Sequence, residues 1–285
     1  MSVIVGVHGI GNYTPTQTAE ALSTAWTTYL HDGYPAGPPD VDIAVAYYSA
    51  ALRLPAGQGS DDPEALPPAA DAALKDWLSE IEALPELAAP VAQGPATMPI
   101  REAMAWIAQR LDMEPKWLRW FTARFFTEVV TYLDPTKADM RADVQQIVWD
   151  TIEANHPRIV IAHSLGSVVT WETLWAHPPT QPIDLLLTIG SPLALPKVVY
   201  DKLTPSTATG RPGRPPGVKR WVNLADPGDL VAVPRLLSRY FDGIDTDLEP
   251  TISTVRVFNF HDVDRYLANP TTTGIINTTL NSPPR

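Results

Sequence analysis

Short runs of apolar and β-branched residues alternate with longer stretches of helical periodicity along most of this chain of 285 residues. Such alternation is typical of a parallel sheet, because consecutive parallel strands need a crossover connection that is usually a helix. Several runs are apolar almost throughout, as expected for strands buried on both faces. The predicted strands cover residues 2–8, 41–48, 158–163, 184–189, 218–224 and 252–258. The pattern predicts an α/β fold with a mostly parallel central sheet of about six or more strands flanked by helices.

The long gap between the second and third predicted strands carries several helical patterns. We interpret residues 50–135 as a helical insertion, or cap, placed before the third strand within a single domain of residues 1–285. One of its patterns, residues 116–133, has aromatic side chains on nearly all sides. These side chains either pack as ordinary core or line an apolar pocket for an acyl group. They are Trp117, Trp120, Phe121, Phe125, Phe126 and Tyr132.

Composition narrows the classes of function. The chain has no cysteine, which excludes a disulfide framework, a Cys-ligated zinc site and a thiol nucleophile. Its formal net charge of −11 disfavours nucleic acid as a partner and opposes adhesion to anionic lipid. Membrane contact through the aromatic helix remains open. The first residues are expected to form a strand rather than a signal peptide. Since no apolar stretch is long enough for a transmembrane helix, we expect a cytoplasmic protein.

The segment 158–169 carries the strongest chemical signal. An apolar strand runs directly into Ser164, and a helical pattern follows at once. A serine at such a turn sits on a sharp, strained bend that exposes its hydroxyl above the sheet. The flanking positions Ala162 and Gly166 are small, although the usual pattern has glycine at both. The amide of Leu165 can face the oxyanion of a tetrahedral intermediate. The alternative is that Ser164 merely caps the helix.

With this turn, the chain resembles the α/β-hydrolase superfamily, and within it the lipase- and esterase-like members of the GPI-inositol-deacylase-like kind. The resemblance covers most of the chain in topology but only four short motifs in sequence, and it does not account for residues 50–135. It implies an α/β-hydrolase fold and a serine hydrolase with a catalytic triad and an oxyanion hole.

A second motif, His8-Gly9-Ile10-Gly11, ends the first predicted strand. In the family, an H-G-x-G turn at this place supplies the other oxyanion donor. The resemblance therefore implies the amide of Ile10 as that donor, with His8, Gly9 and Gly11 lining the site. The flanking glycines leave this amide unobstructed. A dinucleotide-binding turn would need a third glycine where Thr14 stands, whereas a purely structural turn remains an alternative.

The acid and the base follow the nucleophile in the family's order of Ser, Asp or Glu, and His. Asp229, which precedes two apolar residues, resembles the family's acid, and Asp226 is the alternative nearer the strand end. Of the six histidines, only His261 lies downstream of Asp229, so the resemblance implies His261 as the base. His163, which stands beside Ser164, is expected to line the site.

A fourth motif, Gly190-Ser191-Pro192-Leu193, follows the fourth predicted strand. It resembles a segment common in these lipase-like proteins, so we expect Ser191 to line the rim of the site. A simple loop, in which Pro192 ends the strand, explains the motif equally well.

These residues together predict a serine esterase. His261 would take the proton of Ser164, the serine would attack an acyl carbonyl, and Asp229 would orient the imidazole. Water would then release the acyl-enzyme, without any metal or organic cofactor. The expected substrate is a small acyl ester or a lipid. A thioesterase, acyltransferase or peptidase could use the same triad, and a non-catalytic binding module on the same fold is the alternative from another class.

Overall fold

The computed structural model describes residues 4–12, 16–34, 37, 39–52, 63–84, 95–110, 113–208, 210–250 and 261–283. The described strands form one sheet in the order β2-β1-β3-β4-β5-β6, and every neighbouring pair is parallel. The predicted α/β fold with a parallel sheet is thereby confirmed. The strands are β1 (Ile4–Val7), β2 (Ile43–Ala46), β3 (Ile159–His163), β4 (Leu185–Ile189), β5 (Trp221–Leu224) and β6 (Thr246–Leu248).

The first five strands lie inside the ranges predicted for them, with shorter bounds. The predicted sixth strand at residues 252–258 lies outside the described residues. The observed β6 precedes that range and contains Thr246, Asp247 and Leu248, all of them partly exposed. Because β6 is short and has no apolar run, hydrophobic periodicity does not detect it.

Helices cover both faces of the sheet. α1, α7 and α8 lie on one face, and α2 to α6 lie on the other. In the described part of the chain the α-helices are α1 (Ala19–Asp32), α2 (Pro68–Glu82), α3 (Ile100–Arg110), α4 (Pro115–Tyr132), α5 (Ala138–Asn155), α6 (Leu165–Ala176), α7 (Val263–Ala268) and α8 (Pro270–Asn281). None of these helices combines the length and the apolar character needed to cross a bilayer.

Side chains alternate between the two layers of core because successive strand residues point to opposite faces. On β3, Val160 and Ala162 belong to the core beneath α2 to α6, whereas Ile159 and Ile161 belong to the core beneath α1, α7 and α8. All four side chains are fully buried. The apolar character of β3 throughout therefore follows from its position in the middle of a sheet covered on both sides.

Close packing fixes where α6 begins. A Cβ atom built on Gly166 would lie 2.4 Å from the backbone carbonyl oxygens of both Val7 and His8. Protein Cβ atoms do not approach backbone oxygens this closely, so only glycine allows the first turn of α6 to lie against the end of β1. The first turn of α6 is thereby brought next to the loop that follows β1.

Helices α2, α3 and α4 come from the segment interpreted as an insertion. Trp77 of α2 packs edge-on against Phe126 of α4, with ring centroids 5.6 Å apart. The indole of Trp77 also donates a hydrogen bond to the carbonyl of Leu230, at 2.7 Å. The ring contact joins two helices of the segment, and the hydrogen bond joins the segment to the loop after β5. The function of the segment as a cap stays a prediction.

Candidate active site

The order of the strands predicts where a site should form. The chain places β2 on one side of β1 and β3 on the other. In open parallel sheets, ligands bind outside the carboxyl ends of the strands at such a switch point. The turn that begins at His8 follows β1, and Ser164 follows β3, so both predicted motifs lie at this switch point.

Ser164 has a strained backbone. Its φ is 53° and its ψ is −131°, a conformation that residues other than glycine rarely adopt. Its amide donates to the carbonyl of Ile189 at 3.1 Å, which anchors the turn to β4. Its side chain makes no capping hydrogen bond to α6, which removes capping as the reason for a serine at this position. The Oγ atom is buried and has no hydrogen-bond partner among the described residues.

The turn after β1 lies against Ser164. A Cβ atom on Gly9 would lie 2.6 Å from Ser164 Cβ and 3.2 Å from Ser164 Oγ, so the close approach requires glycine. Asn12 Nδ2 donates to the carbonyls of Gly9 and Ile10, each at 3.0 Å. Because a trans peptide is planar, fixing the carbonyl of Gly9 turns the amide of Ile10 in the opposite direction. This amide remains the predicted oxyanion donor from this turn.

His8 supports this turn from inside the protein. Its Nε2 atom accepts a hydrogen bond from the amide of Tyr48 at 3.2 Å, so the proton of the neutral ring is on Nδ1. Nδ1 lies 2.7 Å from the carbonyl of Gly9 and donates to it. Burial lowers the pKa of His8 to about 4, although the bond to Gly9 opposes this shift. His8 is therefore neutral at pH 7 and holds the turn rather than exchanging protons.

An acid–base pair lies at the same edge of the sheet. His261 Nδ1 is 2.8 Å from Asp229 Oδ2, and both side chains are buried. Asp229 Oδ1 accepts from the amides of Val231 at 2.9 Å and Ala232 at 3.4 Å. These bonds to the following backbone orient the carboxylate toward the imidazole. The pairing places a carboxylate where it can select the tautomer of His261.

Asp226, the alternative acid, has a different environment. Its Oδ1 accepts a hydrogen bond from the amide of Gly228 at 2.6 Å, and its carbonyl accepts one from the amide of Asp229 at 2.9 Å. Both contacts belong to the turn after β5, in which aspartate commonly bonds its own backbone. The carboxylate in contact with His261 Nδ1 is that of Asp229.

Two further residues hold the acid and the base. The hydroxyl of Tyr266 donates to Asp229 Oδ2 at 2.8 Å, and burial followed by the charge of Asp229 raises the pKa of Tyr266 well above its usual value. His163 Nε2 donates to the carbonyl of His261 at 2.9 Å. Burial is the largest cause that lowers the pKa of His163 well below its usual value, and the hydrogen bond to the carbonyl of His261 opposes this shift. Tyr266 lies in the buried face of α7 and belongs to no motif visible in the sequence.

A cleft of about 310 Å³ opens beside this group, lined in part by Ile10, His163 and His261. One wall comes from α4. Phe121 meets the ring of His261 edge-on at 5.4 Å, and Trp117 stacks on Phe121 at 5.1 Å. Trp117 and Trp120 line the cleft, Phe125, Phe126 and Tyr132 belong to the core, and Phe121 belongs to both. That the cleft receives an acyl group stays a prediction.

Glu128 connects α4 to the turn after β1. Its Oε1 atom accepts a hydrogen bond from the amide of Gly11 at 3.1 Å and another from Arg124 Nε at 2.5 Å. The side chain is 2% exposed, and burial raises its pKa against the opposing effect of Arg124. Glu128 was not among the site residues predicted from the sequence. The spacing of four between Arg124 and Glu128 within an aromatic helix is the signal that could have found it.

Ser191 lies beneath the nucleophile turn and not on an open rim, since it is 2% exposed. Its hydroxyl lies 2.7 Å from that of Ser167, which donates to the carbonyl of Ser164 at 2.6 Å. The proton of Ser167 is thus used by the carbonyl, and Ser191 is the donor of the pair. Both serines support the turn from below.

Comparison of the chain with protein-family models, curated proteins and solved structures found no match. Among the described residues, no group of three or more His, Cys, Asp or Glu side chains is arranged to hold a metal ion.

Proposed function

We propose that this chain is a serine hydrolase of the α/β-hydrolase type that cleaves carboxylic esters through an acyl-enzyme on Ser164. The observation that carries the proposal is the buried hydrogen bond of 2.8 Å between His261 Nδ1 and Asp229 Oδ2. It lies at the same sheet edge as Ser164, whose backbone is strained and whose Oγ has no partner among the described residues. Strain at a functional residue is retained only where the surrounding structure enforces it.

Asp229 prepares His261 to act as a general base. A carboxylate facing Nδ1 keeps a proton on that nitrogen, which leaves the lone pair of the neutral ring on Nε2. Nε2 then accepts the proton of Ser164 as Oγ attacks the acyl carbonyl. The charge of Asp229 stabilises the imidazolium that forms, and the imidazolium returns its proton to the leaving alcohol. Water then attacks the acyl-enzyme. His261 Nε2 takes a proton from this water, and the imidazolium returns it to Ser164 Oγ as the acid is released.

Two amides are proposed to bind the oxyanion. Leu165 is the first residue of α6, and the amides of the first helical turn have no acceptor within the helix. The amide of Ile10 is directed away from the restrained carbonyl of Gly9. Donors fixed before the reaction stabilise developing negative charge without a cost of reorganisation.

The cleft favours an acyl ester with an apolar part, since aromatic rings of α4 line it beside His261. Ser164 itself is fully buried, so a substrate reaches Oγ only when side chains around the cleft move. Small esters should therefore react more readily than bulky ones.

The test is hydrolysis of p-nitrophenyl esters, from acetate to palmitate, by the wild type and by the variants Ser164→Ala and Ser79→Ala. Ser79 is a helical serine that bonds only its own helix among the described residues, and serves as the control. We expect Ser164→Ala to lose roughly 10³-fold or more of kcat/KM while Ser79→Ala keeps it. Equal activity in all three proteins would exclude Ser164 as the nucleophile. Activity on thioesters or amides but not on oxygen esters would revise the substrate class and keep the mechanism.

A further inference from the structure

The cleft beside His261 combines two kinds of side chain. Aromatic rings come from α1 and α4, and carboxylates come from the start of α7 at Asp262 and Asp264. The lining rings are Trp26, Tyr29, Trp117, Trp120 and Phe121. Both carboxylates are partly exposed. An alkyl chain gains nothing from carboxylates in the wall of its pocket, because carboxylates prefer contact with water or with polar groups.

Among the described residues that line the cleft, the acidic side chains are not balanced by lysine or arginine. Within the described part of the chain, neither lysine nor arginine lines it. Two histidines line it, His163 and His261, and burial lowers the pKa of the His163 ring well below its usual value. Asp264 makes no ion pair with another described residue, and the whole chain carries a formal charge of −11. Such a cleft attracts cations and repels carboxylate or phosphate groups.

We propose that this cleft binds a cationic group, a substituted or quaternary ammonium, carried by the ester substrate. The proposal rests on the proposed function, because it assigns the substrate class of that same site. Aromatic faces attract ammonium groups through their quadrupoles, and a nearby carboxylate adds direct attraction. Trp120 is suited to this role because it is 38% exposed and lines the cleft.

The position of Asp264 at the second residue of α7 offers a simpler explanation, since acidic residues stabilise helix N-termini. Asp139 is a matched control because it holds the second position of α5, is exposed, and does not line the cleft. An effect seen in Asp264→Asn but not in Asp139→Asn belongs to the cleft and not to helix stability.

The first arm of the test compares two esters of the same acid, one of choline and one of 3,3-dimethylbutanol, its uncharged isostere. We expect the wild type to favour the choline ester by about tenfold or more in kcat/KM. Asp264→Asn should lower this preference by roughly three- to tenfold, and Trp120→Leu should lower it more than Trp120→Phe, which keeps an aromatic ring. Asp139→Asn should leave the preference unchanged. A wild-type preference near one, or a preference that Asp264→Asn does not lower, overturns the proposal.

The second arm does not depend on hydrolysis. Tetramethylammonium is titrated into Ser164→Ala, and into the same variant carrying Asp264→Asn, with tryptophan fluorescence and calorimetry as readouts. Saturable binding that weakens with Asp264→Asn supports the cation site, whether or not the esters are hydrolysed. Absence of hydrolysis of both esters would count against the proposed function and not against the cation site. Absence of saturable binding, with both esters hydrolysed at similar rates, rejects the cation site and leaves the hydrolase intact.

Discussion

Replacing Asp229 by asparagine separates catalysis from stability. The carboxylate accepts hydrogen bonds at both oxygens, from His261 Nδ1 and the Tyr266 hydroxyl at Oδ2 and from the amides of Val231 and Ala232 at Oδ1. Asparagine replaces one of these oxygens by an NH₂ group, which faces donors at either position. The two orientations of the amide have different consequences.

With the NH₂ group of the new asparagine at the Oδ2 position, His261 must move its proton to Nε2 in order to accept at Nδ1. The Tyr266 hydroxyl then loses its acceptor at the Oδ2 position, which costs about 1–3 kcal/mol. Nε2 can no longer take the proton of Ser164, so kcat/KM should fall by about 10³- to 10⁴-fold. In the opposite orientation, the amides of Val231 and Ala232 lose their acceptor, which costs about 1–3 kcal/mol for each buried donor. Since the first orientation leaves one donor unpaired and the second leaves two, we expect the first, with a large loss of activity and a loss of stability of no more than about 1–3 kcal/mol.

The assay combines kcat/KM for p-nitrophenyl acetate with urea unfolding of Asp229→Asn and of Asp226→Asn. Asparagine at position 226 still offers a carbonyl oxygen to the amide of Gly228, so Asp226→Asn should keep activity within about tenfold. The reasoning is refuted if Asp229→Asn keeps most of its activity at unchanged stability while Asp226→Asn loses it.

Three further predictions concern the supporting residues. Glu128→Gln should lower kcat by about tenfold with little change in KM for a small ester. The reason is that the uncharged side chain forms a weaker bond to the amide of Gly11, which holds the oxyanion turn. An equal effect on KM would argue against this role. Tyr266→Phe should lower kcat by roughly three- to tenfold, measured with its pH profile, because Asp229 loses one of its donors. Folding lowers the pKa of His8 from 6.5 to about 4, so the folded protein contains the neutral ring at pH values where the unfolded chain already binds a proton. The free energy of unfolding should therefore fall by about 3 kcal/mol as the pH drops from 6.5 to 4. The variant His8→Asn should show a correspondingly shallower loss of stability in urea titrations over that range.

The local signals in the sequence determine the sheet and the nucleophile turn. β3, Ser164 and α6 are contiguous, so apolar periodicity and small flanking residues suffice to predict them. The requirement for a small residue at Gly166 has a direct physical cause in the carbonyl oxygens at the end of β1. By contrast, β6 consists of partly exposed residues in a strand of three, and its pairing with β5 leaves no periodic signal.

The choice between Asp226 and Asp229 depends on the path of a turn. Both residues follow β5 within a few positions, so spacing alone does not separate them. The structure differentiates them because the amides of Val231 and Ala232 hold the Asp229 carboxylate beside His261. Their catalytic roles stay predictions.

The supporting contacts of Glu128 and Tyr266 join residues far apart in sequence. Glu128 meets Gly11 across 117 positions, and Tyr266 meets Asp229 across 37. Each is a single hydrogen bond made by an otherwise ordinary helical residue. Such contacts arise from tertiary packing. Local periodicity in a single sequence does not reveal which distant residues come into contact.

The central claim, that Ser164 is the nucleophile, is tested most directly by reaction with a small fluorophosphonate followed by mass spectrometry of the intact protein and of its peptides. The account predicts a single adduct on the peptide that contains Ser164, lost in Ser164→Ala and strongly slowed in His261→Gln. An unmodified wild type under conditions that label a control serine hydrolase, or an adduct that persists in Ser164→Ala, would contradict it.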